Sequence, residues 1–126
     1  MSLPDYVRKG KVQAALGDFA NLTLSAKTGI TAYAGGGQTN ATQLAAGINH
    51  VTAVATAADS VKLPKSVPGA VCIVINGDSA DSMQVFGYGT DTINDVATAT
   101  GVAQAAGKTA VYACPVAGKW YRDLSA

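Results

Sequence analysis

The chain has 126 residues, of which 13% are charged, with nine Lys and Arg against eight acidic residues for a net charge of +1. That length fits one domain around one core. So weak a charge excludes a strong overall field drawing the protein to nucleic acid or to an anionic membrane surface.

All eight acidic residues are aspartate and glutamate is absent. Ala is interleaved with Thr, Val and Gly in short blocks, poor material for long helices and acceptable for strands and turns. The chain is therefore expected to be all-β. Two Phe, five Tyr and Trp120 are the aromatic residues, so the core must lean on Val, Ile, Leu and Ala. A core that thin is commonly supplemented by an oligomer interface.

Residues 1–29 are basic, with Arg8, Lys9, Lys11 and Lys27 against Asp5 and Asp18, while the remainder is faintly acidic. Tyr6, Arg8, Lys9 and Lys11 read either as a solvated terminal tail or as an arm that docks on an acidic neighbour. No apolar run of signal-peptide length occurs, and none approaches the roughly 20 residues of a membrane-spanning helix. A soluble protein made in the cytoplasm is the expectation. Val12, Ala15, Leu16 and Phe19 have helical spacing, interrupted by Gly17, so a short helix at most is predicted there. From Leu22 to Ala32 the apolar residues fall on even positions, the pattern of a strand with one wet face.

The stretch AYAGGGQTN (residues 32–40) follows. A phosphate-binding loop needs GxxxxGK[ST], and here no lysine follows the glycines until Lys62, so the run reads as a flexible joint. It divides the chain into residues 1–38, an N-terminal arm with one strand and a glycine-rich joint, and residues 39–126, a β body. Residues 40–47 read as a loop or a short helical turn, 48–56 as a strand, and 60–63 as a strand with Val61 and Leu63 on one face and Ser60 and Lys62 on the other. Pro68 and Gly69 stand where a type II turn wants them. Residues 70–75 are apolar on both faces and predict a central strand, with Val71, Ile73 and Ile75 as core or oligomer-forming residues. Asn76 and Gly77 are a strong hairpin signal. Residues 83–88, 92–96, 101–105 and 109–116 supply further strands, the last closing as a hairpin around Gly118 into Trp120. Short strands at this spacing, without amphipathic helices between them, predict a β-sandwich of jelly-roll or immunoglobulin-like type and no crossover connections.

Chemistry is thinly marked. His50, the only histidine, has no nucleophile elbow to select a serine for it and reads as a strand histidine at an edge or interface. Cys72 and Cys114 lack zinc or redox spacing and read as buried thiols. Asp78, Asp81, Asp91 and Asp95 have no basic residue among them; loops bringing them together could offer calcium its carboxylate oxygens, but the spacing is not that of an EF-hand, and a solvated acidic patch is the reading. No catalytic residue, cofactor or metal is expected.

The segments NATQLAAGINHVTAVATAADSVKLP, PGAVCIVIN and AAGKTAVYACPVAGKWY resemble small, Ala/Thr/Val-rich bacteriophage virion proteins of the capsid decoration, or cement, type. The resemblance spans roughly residues 39–121 and carries no catalytic motif. It implies a jelly-roll-like body that binds the major capsid protein lattice from outside as a homo-oligomer, a trimer ahead of a dimer, with extended arms reaching neighbouring subunits. Such a protein is not an enzyme, and it ends on the capsid surface after synthesis in the host cytoplasm. Two other readings stand beside it. One is a phage fibre or host-recognition module that binds glycan through Trp120, Tyr88 and Tyr121 near the aspartate-bearing loops. The other is a hydrolase using His50.

Overall fold

The computed structural model describes residues 23–126, and these are all-β, without a helix. The arm residues Tyr6, Arg8, Lys9 and Lys11, and the short helix expected near Val12, lie outside the described residues.

The strands are β1 (Ala26–Thr31), β2 (Thr42–Gln43), β3 (Gly47–Ala53), β4 (Ser60–Lys62), β5 (Val71–Asn76), β6 (Met83–Phe86), β7 (Thr92–Ile93), β8 (Val102–Gln104), β9 (Thr109–Val116) and β10 (Lys119–Leu124). They form two sheets: sheet A in the order β1-β3-β5-β9-β10-β7, and sheet B in the order β2-β4-β6-β8. Through β6 the chain alternates between the sheets, and each return lies parallel to the strand before it. Lys27 pairs with Asn49 and Asn49 with Val74 in sheet A, spacings of 22 and 25 residues. Thr42 pairs with Val61 and Val61 with Val85 in sheet B. This is the arrangement of a short β-solenoid. The far end is closed by antiparallel strands, β9 on β5 and β8 on β6, and β10 folds back on β9.

Two sheets face each other, as a sandwich requires, but the jelly-roll connectivity is corrected. Parallel strands ordinarily need a helical crossover. Here the strand in the opposite sheet makes the crossover, so the missing helices did not exclude parallel pairing. The hairpin expected at Asn76 and Gly77 is corrected too. Asn76 is fully buried; its side-chain oxygen accepts from the Asp78 amide at 3.1 Å, and its Nδ2 donates to Asp81 O and Gln104 O, both at 3.0 Å. The amide thus turns the chain out of sheet A toward sheet B. The turn at Pro68 and Gly69 forms as expected, with the Ala70 amide bonded to Val67 O, and the hairpin between β9 and β10 is present.

Val51, Val61, Leu63, Cys72, Val74, Met83, Val85, Ile93, Tyr112 and Trp120 fill the space between the sheets, none of them exposed. Among them stand amides whose polar atoms are occupied, as burial demands. Gln104 Nε2 donates to Val74 O and Lys108 O at 2.9 Å each, and its Oε1 accepts from the Tyr112 hydroxyl at 3.2 Å. Asn49 accepts from the Ala45 amide and donates to Ala45 O. Both cysteines are buried free thiols, as expected, and burial pushes the Cys72 thiol up to about 12.

The strand expected before the division at residue 38 is β1, which belongs to sheet A as its first strand, and Ile30 and Ala32 are in the core. The glycine run is a fitted corner rather than a loose joint. Gly35, Gly36 and Gly37 all have positive φ, and a Cβ on Gly36 would come within 2.8 Å of Ala58 O. Gln38, just after them, ties the corner across the molecule through its Nε2 to Gly87 O and Gly89 O, at 2.7 and 2.8 Å.

Candidate interaction surface

Strand alternation decides which side chains leave the core. In β5, Cys72 and Val74 point inward, so Val71, Ile73 and Ile75 point out of sheet A, Val71 42% exposed and the other two half-buried. The choice left open for these three between core and interface therefore falls on the outer face. The register then sets Ile48 of β3 and Val111 of β9 on either side of Ile73, with Asp123 of β10 beyond Val111. One step along, Val71 lies beside Ala113, and Ala113 beside Tyr121. Val111 and Tyr121 are each 39% exposed.

The centre of this face carries no charge. It includes a shallow, almost wholly apolar hollow of about 470 Å³ lined by Gly69, Ala70, Val71, Ala113, Pro115 and Tyr121. Polar groups stand on its flanks. On one side the Thr28 hydroxyl lies 2.9 Å from His50 Nδ1. On the other the Tyr121 hydroxyl donates to both oxygens of Asp95, and Lys119 pairs with the same carboxylate at 2.8 Å. The Lys119 ammonium, then the Tyr121 hydroxyl, hold the Asp95 carboxyl below its usual range. Tyr121 is thereby fixed at the rim of the hollow.

The outer face of sheet B differs. Lys62, Gln84 and Ala103 lie there, and the chain at Gly101 lies so close over Gln84 and Phe86 that a Cβ would meet both at 2.9 Å. It is polar and partly overlaid.

The remaining marked residues disperse. Asp78 accepts from the amides of Ala80 and Asp81, Asp91 accepts from the Ser66 amide at 2.8 Å, and Asp95 serves Lys119 and Tyr121. The patch expected from their sequence clustering is thus split among separate turns, and no group of three metal-binding side chains occurs among the described residues. His50 faces a threonine hydroxyl from β3, a strand paired on both sides by β1 and β5, so it is a strand histidine but not at a sheet edge. Trp120, taken as a glycan-stacking candidate, is corrected: it is fully buried, while Tyr88 remains 44% exposed.

Asp59, which nothing in the sequence singled out, is 1% exposed at a corner of the coil. Its carboxylate accepts from the Thr56 hydroxyl at 2.8 Å and from the amides of Ala55 and Thr56 at 3.1 Å each, with Gly35 at 3.4 Å. The Thr56 hydroxyl above all, then these amides, hold its pKa below the usual value against the opposing effect of burial. A carboxylate with a depressed folded-state pKa contributes stability that is present above its unfolded pKa of about 4 and is lost as pH falls through the folded value. Asp59→Asn is therefore expected to lower the melting temperature at neutral pH and to approach the parent near pH 3 or below. Thermal melts at the two pH values check this; an equal gap at both would contradict it.

Compared with known protein families, curated proteins and solved structures, the chain matches none.

Proposed function

We propose that the chain is a non-enzymatic structural protein of a phage virion, a decoration or cement protein that assembles with copies of itself and attaches to the outside of the major capsid protein lattice. The observation that carries this reading is the uncharged outer face of sheet A, where Val71, Val111 and Tyr121 are each about two-fifths exposed around an apolar hollow. Contiguous apolar patches on soluble proteins mark interaction sites. The resemblance of the Ala/Thr/Val-rich segments to virion proteins supports a virion as the assembly it serves. Attachment is assigned to Tyr6, Arg8, Lys9 and Lys11, and the charges of Arg8, Lys9 and Lys11 suit an acidic capsid surface. Repetition over a lattice makes individually weak contacts sufficient.

The test is co-sedimentation of the full chain with phage heads stripped of their outer proteins. The protein is expected to pellet with the heads, and replacing Arg8, Lys9 and Lys11 together by alanine is expected to weaken binding by about tenfold, equivalent to roughly 1.4 kcal/mol. Protein that stays in the supernatant at every ratio contradicts the reading. A glycan-binding fibre module predicts instead that particle images place the protein on the tail.

A further inference from the structure

We infer that the outer face of sheet A is the contact between two copies of this chain, packed face to face about a two-fold axis that runs along the strands between β5 and β9. This deepens the self-assembly half of the reading above and does not depend on the capsid half.

An isologous contact requires a surface complementary to itself. This face has both halves of such a fit. Val71, Val111 and Tyr121 project from it, and the hollow beside them is walled by the small residues Gly69, Ala70 and Ala113. Its centre is uncharged, so two copies meet there without burying an unpaired ion. Its flanks are unlike, with His50 on β3 and Asp123 on β10.

Those flanks choose the axis. A two-fold along the strands between β5 and β9 carries the β9 of one copy over the β5 of the other, and β10 over β3. Val111 then meets the other copy's Ile73, since the two already share a register height. Asp123 arrives over Ile48, the β3 residue of its own register row and one outward-facing position from His50, twice by symmetry, whereas an axis across the strands would lay β10 over β10. Face-to-face sheets stand about 10 Å apart and interdigitate side chains of the size found here.

The experiment is the solution mass of the purified full chain, by sedimentation equilibrium over micromolar concentrations with no capsid present. A dimer is expected; a monomer throughout, or a trimer, overturns the inference. Val111→Asp is expected to raise the dissociation constant at least a hundredfold, whereas Ala103→Asp, on the outer face of sheet B, leaves the mass unchanged. Emission from buried Trp120 reports whether each variant is folded, and Val71→Lys repeats the measurement should Val111→Asp unfold. Asp123→Lys is expected to weaken the pair and His50→Asp added to it to restore association; no restoration overturns the axis. Failure to dimerise with intact capsid binding removes this inference alone, and dimerisation without capsid binding removes only the capsid reading.

Discussion

Trp120→Ala is expected to lower the free energy of unfolding by about 3–5 kcal/mol, the cost of emptying a large aromatic site in a packed core. Domains of this size are stable by roughly 5–15 kcal/mol, so the loss is a large share of the total. Trp120 is fully buried in β10, with β9 on one side and β7 on the other, and it pairs with Ile93. Its backbone oxygen accepts from the Asn94 amide at 2.9 Å. The indole therefore sits where the capping strands β7, β9 and β10 are held together. Its Nε1 has no hydrogen-bond partner among the described residues, so Trp120→Phe removes volume without orphaning an acceptor there and is expected to cost less than half as much. Urea unfolding followed by far-ultraviolet circular dichroism measures both; a Trp120→Ala loss below about 1 kcal/mol would show that the site collapses around the gap.

The inward place of Trp120 was legible, because Lys119, Trp120 and Tyr121 alternate as a one-sided strand does. Reading the indole as a sugar platform set that alternation aside. Elsewhere the placing of strands served well: those expected at 48–56, 70–75 and 109–116 correspond to β3 (Gly47–Ala53), β5 (Val71–Asn76) and β9 (Thr109–Val116), and Val61 and Leu63, expected on one face, are both buried. The coil itself was hidden because stacked positions share no chemistry. Lys27, Asn49 and Val74 stand in one row of sheet A, and Thr42, Val61 and Val85 in one row of sheet B. Burial is shared only by the later members of each row, Asn49 with Val74 and Val61 with Val85, while Lys27 is exposed and Thr42 half-buried, and burial by itself accepts any apolar residue of suitable size. Asn49, Asn76 and Gln104 deepened the disguise. Asn76 reads as a turn residue and nothing in the sequence marks Asn49 or Gln104 as inward, yet all three are buried with their amides bonded to backbone groups.

The candidate surface was half legible for a related reason. Val71, Ile73 and Ile75 stood out as a contiguous apolar run. Val111, Ala113 and Tyr121 lie about forty residues further on and join them only through the antiparallel register of β9 on β5 and β10 on β9. The signal that would have found them is the apolar residues on both faces of 109–116, since one face of a capping strand has to lie outside the core.

Gly47→Ala is expected to destabilise the protein by about 2–4 kcal/mol, combining a strained backbone with the loss of one hydrogen bond. Gly47 opens β3 at φ +97°, and a Cβ there would lie 2.3 Å from Ser25 O. That oxygen accepts from the Ile48 amide at 2.8 Å, and the Ser25 hydroxyl donates to Ala46 O at 3.3 Å. Backbone cannot swing aside as a side chain does, so an added methyl has to push the start of β1 away from β3. The damage is expected to be local. The amides of β1 and Ile48 should lose hydrogen-exchange protection first, while β9 and β10, at the opposite end of the coil, keep theirs until global unfolding. Gly118 supplies the control: it has φ +90° but open space where its Cβ would lie, so Gly118→Ala meets the conformational cost without the collision and should lose only about 1 kcal/mol. Equal losses at the two glycines, or uniform loss of protection after Gly47→Ala, would mean that the contact between Ser25 and Gly47 does not hold the first turn of the coil in place.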